Sequence, residues 1–273
     1  MRFKFSVFSF LTLAFSLGLL FIQPFSPAAL AEIISATSTP EIVSRVLQDD
    51  VVYLGENHDS PVIHQQQLEI ITQLQQNRAK RKIAIAWEMF QRPFQPVLGR
   101  YLAGTITEKQ LREQTEYDNR WGFDWEFYAP ILRFAKDKQI SLIALNTPEE
   151  ITQKVAESGI NSLEEADYRY IPIKADISLD NAEYRQRLKD IYLQHVEAGQ
   201  GNSSDADNFF AAQVLWDETM AEAIAKYHNN HPNGLIVVLV GKAHVMYDYA
   251  IPERVLKRVK QDNFSQTTVL LKA

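Results

Sequence analysis

The chain of 273 residues contains no cysteine. It therefore has no disulfide bond, no cysteine nucleophile and no thiolate ligand for a metal ion. A membrane anchor attached through a lipidated cysteine is excluded for the same reason. Without disulfides the fold depends on a sizeable apolar core, and a chain of which 46% is hydrophobic can supply one.

The chain also lacks an excess of basic residues. It has 28 Lys and Arg against 34 Asp and Glu, which gives a formal net charge of −6 at pH 7. Proteins that bind nucleic acids through the phosphate backbone need a basic patch. We therefore expect no nucleic-acid partner.

The first 31 residues follow the three-part pattern of a secretory signal peptide. Arg2 and Lys4 precede an apolar stretch over 5–22, and Ala29 and Ala31 supply the small residues of a cleavage site. Cleavage after Ala31 would give an exported, soluble protein with no stable membrane span, in a periplasm or a lumen-like compartment. The alternative is an uncleaved anchor, because the apolar stretch nearly reaches the ~18–20 residues that a span needs.

Five short apolar runs, which alternate with helical patterns, dominate the rest of the chain: 51–54, 83–87, 140–145, 235–240 and 267–271. Such runs are typical of strands buried on both faces of a parallel sheet. The sequence predicts an α/β fold with a largely parallel or mixed central sheet, flanking helices and a helical excursion around 160–230. Capping patterns at 107–110 and 147–150 mark two helix starts. Residues 32–39 are predicted to be a flexible lead-in, and 40–273 a single domain.

Two of the predicted strands, 51–54 and 235–240, run into the pattern Gly-x-x-His. The first pattern contains Gly55 and His58, and the second contains Gly241 and His244. The carboxyl ends of parallel strands share one edge of a sheet, where ligands commonly bind. The glycines are expected to let the backbone turn tightly. The sequence thus predicts one site built from two distant parts of the chain, with two loop-closing structural histidines as the alternative.

Four acidic residues are candidates to complete this site. Glu56 precedes His58, and Glu88 ends the predicted second strand, so both should lie near the same edge of the sheet. Asp59 and Asp217 are candidates for a supporting role. Asp217 falls on the buried face of a predicted helix over 205–229, where a carboxylate needs a partner such as a basic side chain or one of the two histidines.

Histidines with nearby carboxylates permit two kinds of chemistry. His58 and His244 could bind a divalent metal ion together with the acids. They could also work without metal, as a general base and a general acid. Spacing alone does not separate these two possibilities.

A second group of candidates lies on a predicted helix over 181–196. Tyr192 and His195 are three residues apart on it, and both side-chain types ligate haem iron. Basic residues on adjacent faces could bind propionates: Arg185, Arg187 and Lys189. Ordinary packing with polar tips at the surface is the alternative.

Four segments together resemble the ChaN-like haem-binding uptake family of the Tiki/TraB/erythromycin-esterase-like superfamily. They are GENHD at 55–59, WEMF at 87–90, AQVLWDETMA at 212–221 and GKAHV at 241–245. The resemblance covers roughly 45–260. It implies an α/β core, a role in haem or iron handling, and haem held at a subunit interface with tyrosine on the iron in some relatives. It also implies, by analogy with hydrolase branches, a site made of His58, His244, Glu56 and Glu88. The chain departs from lipid-anchored relatives because it has no cysteine.

Three functions follow as hypotheses. The first is an exported protein that binds haem through Tyr192 or His195, as a homodimer if haem lies between two copies. The second is a metal-dependent hydrolase that uses the paired Gly-x-x-His site. The third is a module that binds a protein partner and has no chemistry.

Overall fold

The computed structural model describes residues 31–34, 38–77, 81–197, 203–247 and 249–272, without the side chains of 195 and 197. Apart from Ala31, the predicted signal peptide lies outside these residues. No helix within the described ranges is long and apolar enough to cross a membrane.

Six strands form one sheet in which every pair is parallel, in the order β1-β6-β2-β5-β3-β4. This arrangement confirms the predicted α/β fold. The strands are β1 Glu32–Ile34, β2 Val51–Glu56, β3 Ile83–Gln91, β4 Ser141–Asn146, β5 Leu235–Gly241 and β6 Gln266–Leu270.

Helices cover both faces of the sheet. The α-helices of the described chain are α1 Thr39–Val46, α2 Pro61–Asn77, α3 Gln95–Leu102, α4 Glu108–Gln114, α5 Tyr117–Arg120, α6 Trp125–Asp137, α7 Glu149–Ser158, α8 Ala182–Glu197, α9 Ala206–Asn230 and α10 Ile251–Leu256. Successive strand residues point to opposite faces, so Val52 and Leu54 pack with α1, α2, α3 and α6, while Val51 and Tyr53 pack with α9 and α10.

The predicted helical excursion consists of α8 and α9 with short 3-10 turns before them. Helix α8 packs on α9 through a small apolar cluster of Tyr184, Leu188, Phe210 and Val214. Helix α9 also packs against the sheet. It therefore links α8 to the core.

Two details of the sequence-based prediction are wrong. The lead-in is not without regular structure, because Glu32–Ile34 form β1 and pair with β6 at the edge of the sheet. Three residues are too few to show a strand pattern. Thr147 does not cap α7, because Pro148 takes the N-cap position. The capping box of Thr107 and Gln110 is confirmed.

Candidate functional site

The strand order brings the two histidine turns side by side. Strand β5 lies between β2 and β3, and Glu56 at the end of β2 is in register with Gly241 at the end of β5. On the other side of β5, the regular pairing of β3 continues to Trp87, and Glu88 follows directly. The prediction that Glu88 ends this strand is wrong, because β3 continues with irregular pairing to Gln91. The carboxyl ends of β2 and β5 and the irregular last part of β3 therefore meet at one edge of the sheet.

A cavity of about 420 Å³ opens at this edge. Both polar candidate residues and aromatic side chains line this cavity, and such a mixed lining is usual for small-molecule sites. The lining includes His58, Glu88, His244, Trp121, Phe123 and Trp216.

Glu56 and His58 form the first carboxylate–histidine pair. Nδ1 of His58 lies 2.9 Å from Oε1 of Glu56, and Glu56 is fully buried. Burial raises the pKa of Glu56, but the hydrogen bond from His58, the charge of His64 and the hydrogen bond from Gln67 outweigh it, so the pKa lies below its ordinary value. The carboxylate is therefore an anion that accepts a hydrogen bond from the Nδ1–H of His58, and this leaves Nε2 of His58 available to a ligand.

Burial and the charge of His244 lower the pKa of His58. The hydrogen bond to Glu56 and the charges of Glu88 and Glu56 raise it by more. The pKa of His58 is therefore raised. Its ring makes an edge contact with Trp121 at 4.8 Å between centroids and a tilted contact with Phe123 at 5.0 Å. These contacts hold the ring between the carboxylate and the cavity.

Asp217, His244 and Glu88 form the second group. Nδ1 of His244 lies 2.7 Å from Oδ1 of the buried Asp217. Nε2 of the same ring lies 3.5 Å from Oε1 of Glu88. Burial lowers the pKa of His244, but the charge of Glu88 and the hydrogen bond and charge of Asp217 raise it to about 9. His244 is therefore a buried cation between two carboxylates at neutral pH, and it can act as a general acid.

The backbone of Gly241 completes the arrangement. Its N–H donates to Oε2 of Glu88 at 2.6 Å. A Cβ at this position would lie 2.8 Å from Nε2 of His58. The φ angle of Gly241 is −56°, and Gly55 is not among the residues with positive φ. The expected turning role of the two glycines is therefore wrong: Gly241 provides room for the imidazole, and Gly55 provides room for Val245 and Leu270.

The other predicted residues lie outside this cavity or at its mouth. Asp59 is exposed and lines a separate outer hollow with His58 and Lys242. Tyr192 lies on α8, half-buried, with its ring 5.7 Å from that of Phe209. The side chain of His195 lies outside the described residues.

Four polar residues of the site were weakly indicated or not indicated by the sequence. Gln67 donates to Oε2 of Glu56 at 2.6 Å, and the Tyr128 hydroxyl donates to Oε1 of Glu56 at 2.8 Å. Nε2 of the buried His64 lies 3.0 Å from the carbonyl oxygen of His58. His64 and Gln67 share the buried face of α2, and polar residues on an apolar helix face are the signal that could have found them. Thr147 is buried in the cavity lining, and its hydroxyl has no hydrogen-bond partner among the residues that the structure describes.

The expectation of a divalent metal shared by His58 and His244 finds no support. Over the residues that the structure describes, no group of three or more histidine, aspartate or glutamate side chains is arranged to hold a metal ion. The Nδ1 atoms of both rings are bound to carboxylates, and such a contact orients an imidazole for proton transfer as well as for a ligand at Nε2.

A family model described as haem-binding uptake, Tiki superfamily, ChaN matches residues 42–255. The fold and the strand-end site thus belong to a protein of the haem-binding uptake class, and the chain is a member of the ChaN family. The resemblance noted in the sequence is confirmed.

Two solved structures are similar to this chain, and the first of them agrees with it at the level of fold. A structure titled cofacial heme binding to ChaN of Campylobacter jejuni is 21% identical, covers 86% of each chain and gives a TM-score of 0.67. A mutant erythromycin esterase EreC in its open conformation is 14% identical, with 84% of this chain and 71% of that chain covered and a TM-score of 0.47.

A curated relative is the protein RETICULATA-RELATED 5, chloroplastic, of Arabidopsis thaliana. It is 26% identical over 241 residues, which cover 83% of this chain. The chain spans 32% of the length of that relative.

Proposed function

We propose that the protein is an exported haem-binding protein that handles haem or iron at the cell envelope. Membership of the ChaN family supports haem as the ligand. The signal-peptide pattern of residues 1–31 supports export. Within the fold, the proposal depends on the residues of the outward face of α8.

That face combines an iron ligand with an apolar surface. Tyr192 and Val196 are four residues apart and share one stripe of the helix, with Leu193 beside them. Leu193 and Val196 are 48% and 53% exposed, and Phe209 of α9 extends the surface next to Tyr192. Large exposed apolar side chains beside a half-buried tyrosine fit a porphyrin that covers them and a phenol oxygen on its iron.

Basic side chains lie on the same stripe toward the start of α8. Arg185 and Lys189 precede Tyr192 by seven and three residues, which is about 10 Å and 5 Å along the helix axis. Arg185 pairs with the exposed Asp207 at 2.6 Å, and Lys189 is exposed. These two cations fit the propionates of a haem whose ring rests on Leu193 and Val196.

The strand-end cavity fits haem less well. Glu88 and Glu149 line it, and carboxylates repel propionates. Arg120 also lines the cavity, but its guanidinium already donates to two carboxylates, Glu116 and Glu150, and to the amide oxygen of Gln91, whereas Arg185 has a single carboxylate partner. We therefore assign haem to α8 and not to this cavity.

Haemin titration of the purified protein tests the proposal. We expect a shift of the Soret band on binding, and we expect Tyr192→Phe to change the ligand spectrum and to weaken binding about tenfold or more. Tyr170→Phe, at a ring that lies under Arg169, is the matched control and should bind like wild type. No shift, or a shift that survives Tyr192→Phe combined with His195→Ala, would overturn the assignment.

Two further measurements test the envelope role and the assembly. Export should yield a mature protein whose N-terminal residue is Glu32, and an intact N-terminus in the exported fraction would contradict cleavage after Ala31. If the haem lies between two copies, haemin should convert monomer to dimer in sedimentation velocity. Binding by a protein that stays monomeric would contradict a shared haem.

A second candidate function is metal-independent hydrolysis in the strand-end cavity. The Asp217–His244 pair favours it, because His244 can supply a proton while Nε2 of His58 accepts one from water. Hydrolysis of a set of ester and peptide substrates, measured with and without a metal chelator, tests this function. Turnover that resists the chelator and is lost in both His58→Gln and His244→Gln would support it, and no turnover across the panels would exclude it.

A further inference from the structure

Helix α8 reaches the strand-end site through one buried side chain. The hydroxyl of Tyr184 donates to Oδ2 of Asp217 at 2.5 Å. The other oxygen of Asp217 binds Nδ1 of His244 at 2.7 Å. Tyr184, Asp217 and His244 therefore form a continuous hydrogen-bonded chain from α8, across α9, to the turn after β5.

These three hydrogen-bonded side chains are shielded from water. Tyr184 is 3% exposed, and Asp217 is fully buried. The Tyr184 ring packs on Phe210 and lies 4.9 Å from the ring of Tyr249. Burial raises the pKa of Tyr184 well above its ordinary value, and the charge of Asp217 adds to this. The hydroxyl therefore keeps its proton and remains a donor.

The two partners of Asp217 compete for one negative charge. A carboxylate that receives a strong hydrogen bond from a phenol has less charge to offer an imidazolium, and such hydrogen bonds strengthen in a medium of low dielectric constant. The other charged groups that face His244 are Glu88 on β3 and His58 after β2, and the ring of Trp216 lies 6.0 Å from its ring. None of these belongs to α8.

We propose that Tyr184 is a positioning residue that couples α8 to His244. Through Asp217 it sets the proton affinity and the orientation of the His244 imidazole, so a ligand on α8 and a proton on His244 influence each other. The coupling to haem rests on the proposed function, while the effect of Tyr184 on His244 does not.

The first test uses the full chain without haem. The titration of His244 is followed by NMR in wild type and in Tyr184→Phe, with His244→Gln to assign the signal. Phenylalanine keeps the ring packing and removes only the donor. We expect the titration midpoint of His244 to rise in Tyr184→Phe and to stay at the wild-type value in Tyr170→Phe. An unchanged midpoint in a folded Tyr184→Phe protein would overturn the proposal, because a purely structural tyrosine would alter stability alone.

A second variant keeps the test decisive if Tyr184→Phe does not fold. Replacement of Tyr184 by 3-fluorotyrosine retains the hydroxyl and makes it a stronger donor. The midpoint of His244 should then shift downward, opposite to the phenylalanine variant. No shift, or an upward shift, would contradict the competition for Asp217.

The coupling to haem is tested separately. Linkage requires that the haemin affinity of wild type vary with pH across the titration of His244, and that this variation shrink in Tyr184→Phe. A pH dependence that is identical in the two proteins would remove the coupling. Absence of any Soret shift would instead refute the haem assignment, and the NMR result would still stand.

Discussion

Substitution of Gly241 by alanine should displace His58 and leave the fold intact. The φ angle of −56° at Gly241 suits alanine. The new Cβ would lie 2.8 Å from Nε2 and 2.9 Å from Cε1 of His58. Ordinary contact begins at about 3.4 Å, so the imidazole must retreat by about 0.6 Å or rotate away.

The cost in stability should be small because His58 can yield. Its side chain is 26% exposed, so the ring can move toward solvent. Overpacking of a core typically costs roughly 1–3 kcal/mol, and here the free energy of unfolding should fall by about 1 kcal/mol or less. The movement lengthens the contact with Glu56. Because that hydrogen bond and the charges of Glu88 and Glu56 raise the pKa of His58, the pKa should fall toward its ordinary value.

Gly55→Ala is the matched control. Its Cβ would lie 3.1 Å from Cγ2 of Val245 and 3.2 Å from Cδ2 of Leu270. Val245 is fully buried and cannot yield to solvent. This variant should lose stability and keep the wild-type titration of His58, as measured by denaturant unfolding and by NMR. An unchanged His58 titration in Gly241→Ala would refute the assignment of Gly241 as the space for the imidazole.

Two further predictions concern the Asp217–His244 pair. Because folding raises the pKa of His244 from 6.5 to about 9, its contribution to stability is complete below pH 6.5 and is lost as the pH rises through about 9. The unfolding free energy of wild type should therefore decline over this interval more steeply than that of His244→Gln, and parallel curves would contradict the raised pKa. Asp217→Asn should destabilise the fold by about 3–5 kcal/mol, as breaking a buried ion pair does. Asp207→Asn, at an exposed position, should change stability little, and equal losses in the two variants would argue against the buried pair.

The sheet was predictable because its strands are continuous apolar runs. The runs at 51–54 and 235–240 fall within β2 and β5, and the rule that parallel strands share a carboxyl edge placed His58 and His244 at that edge. The insertion of β5 between β2 and β3 was not predictable, because strand order depends on contacts between distant parts of the chain. This order places the two turns side by side.

The polar contacts of the site were predictable only in part. Asp217 could be singled out because a carboxylate on a buried helix face needs a partner, and the structure places it on His244. Tyr184 gave no such signal, because a tyrosine on an amphipathic helix usually packs with its hydroxyl in water. Thr147 has the sequence of a helix cap, yet Pro148 takes that position and leaves the hydroxyl in the cavity lining.

The energetics of the strand-end site argue that it serves a ligand. Three buried carboxylates, Glu56, Glu88 and Asp217, lie beside two histidines under aromatic walls. The desolvation of such groups costs several kcal/mol for each ion, and well-packed apolar side chains of the same volume often stabilise a core equally well or better. Stability alone is therefore a poor reason for this arrangement. The unpartnered Thr147 hydroxyl adds a polar atom that a bound molecule could satisfy. The two proposed functions therefore concern different surfaces: His244→Gln should abolish hydrolysis and alter only the pH dependence of haemin binding, whereas Tyr192→Phe should weaken haemin binding itself.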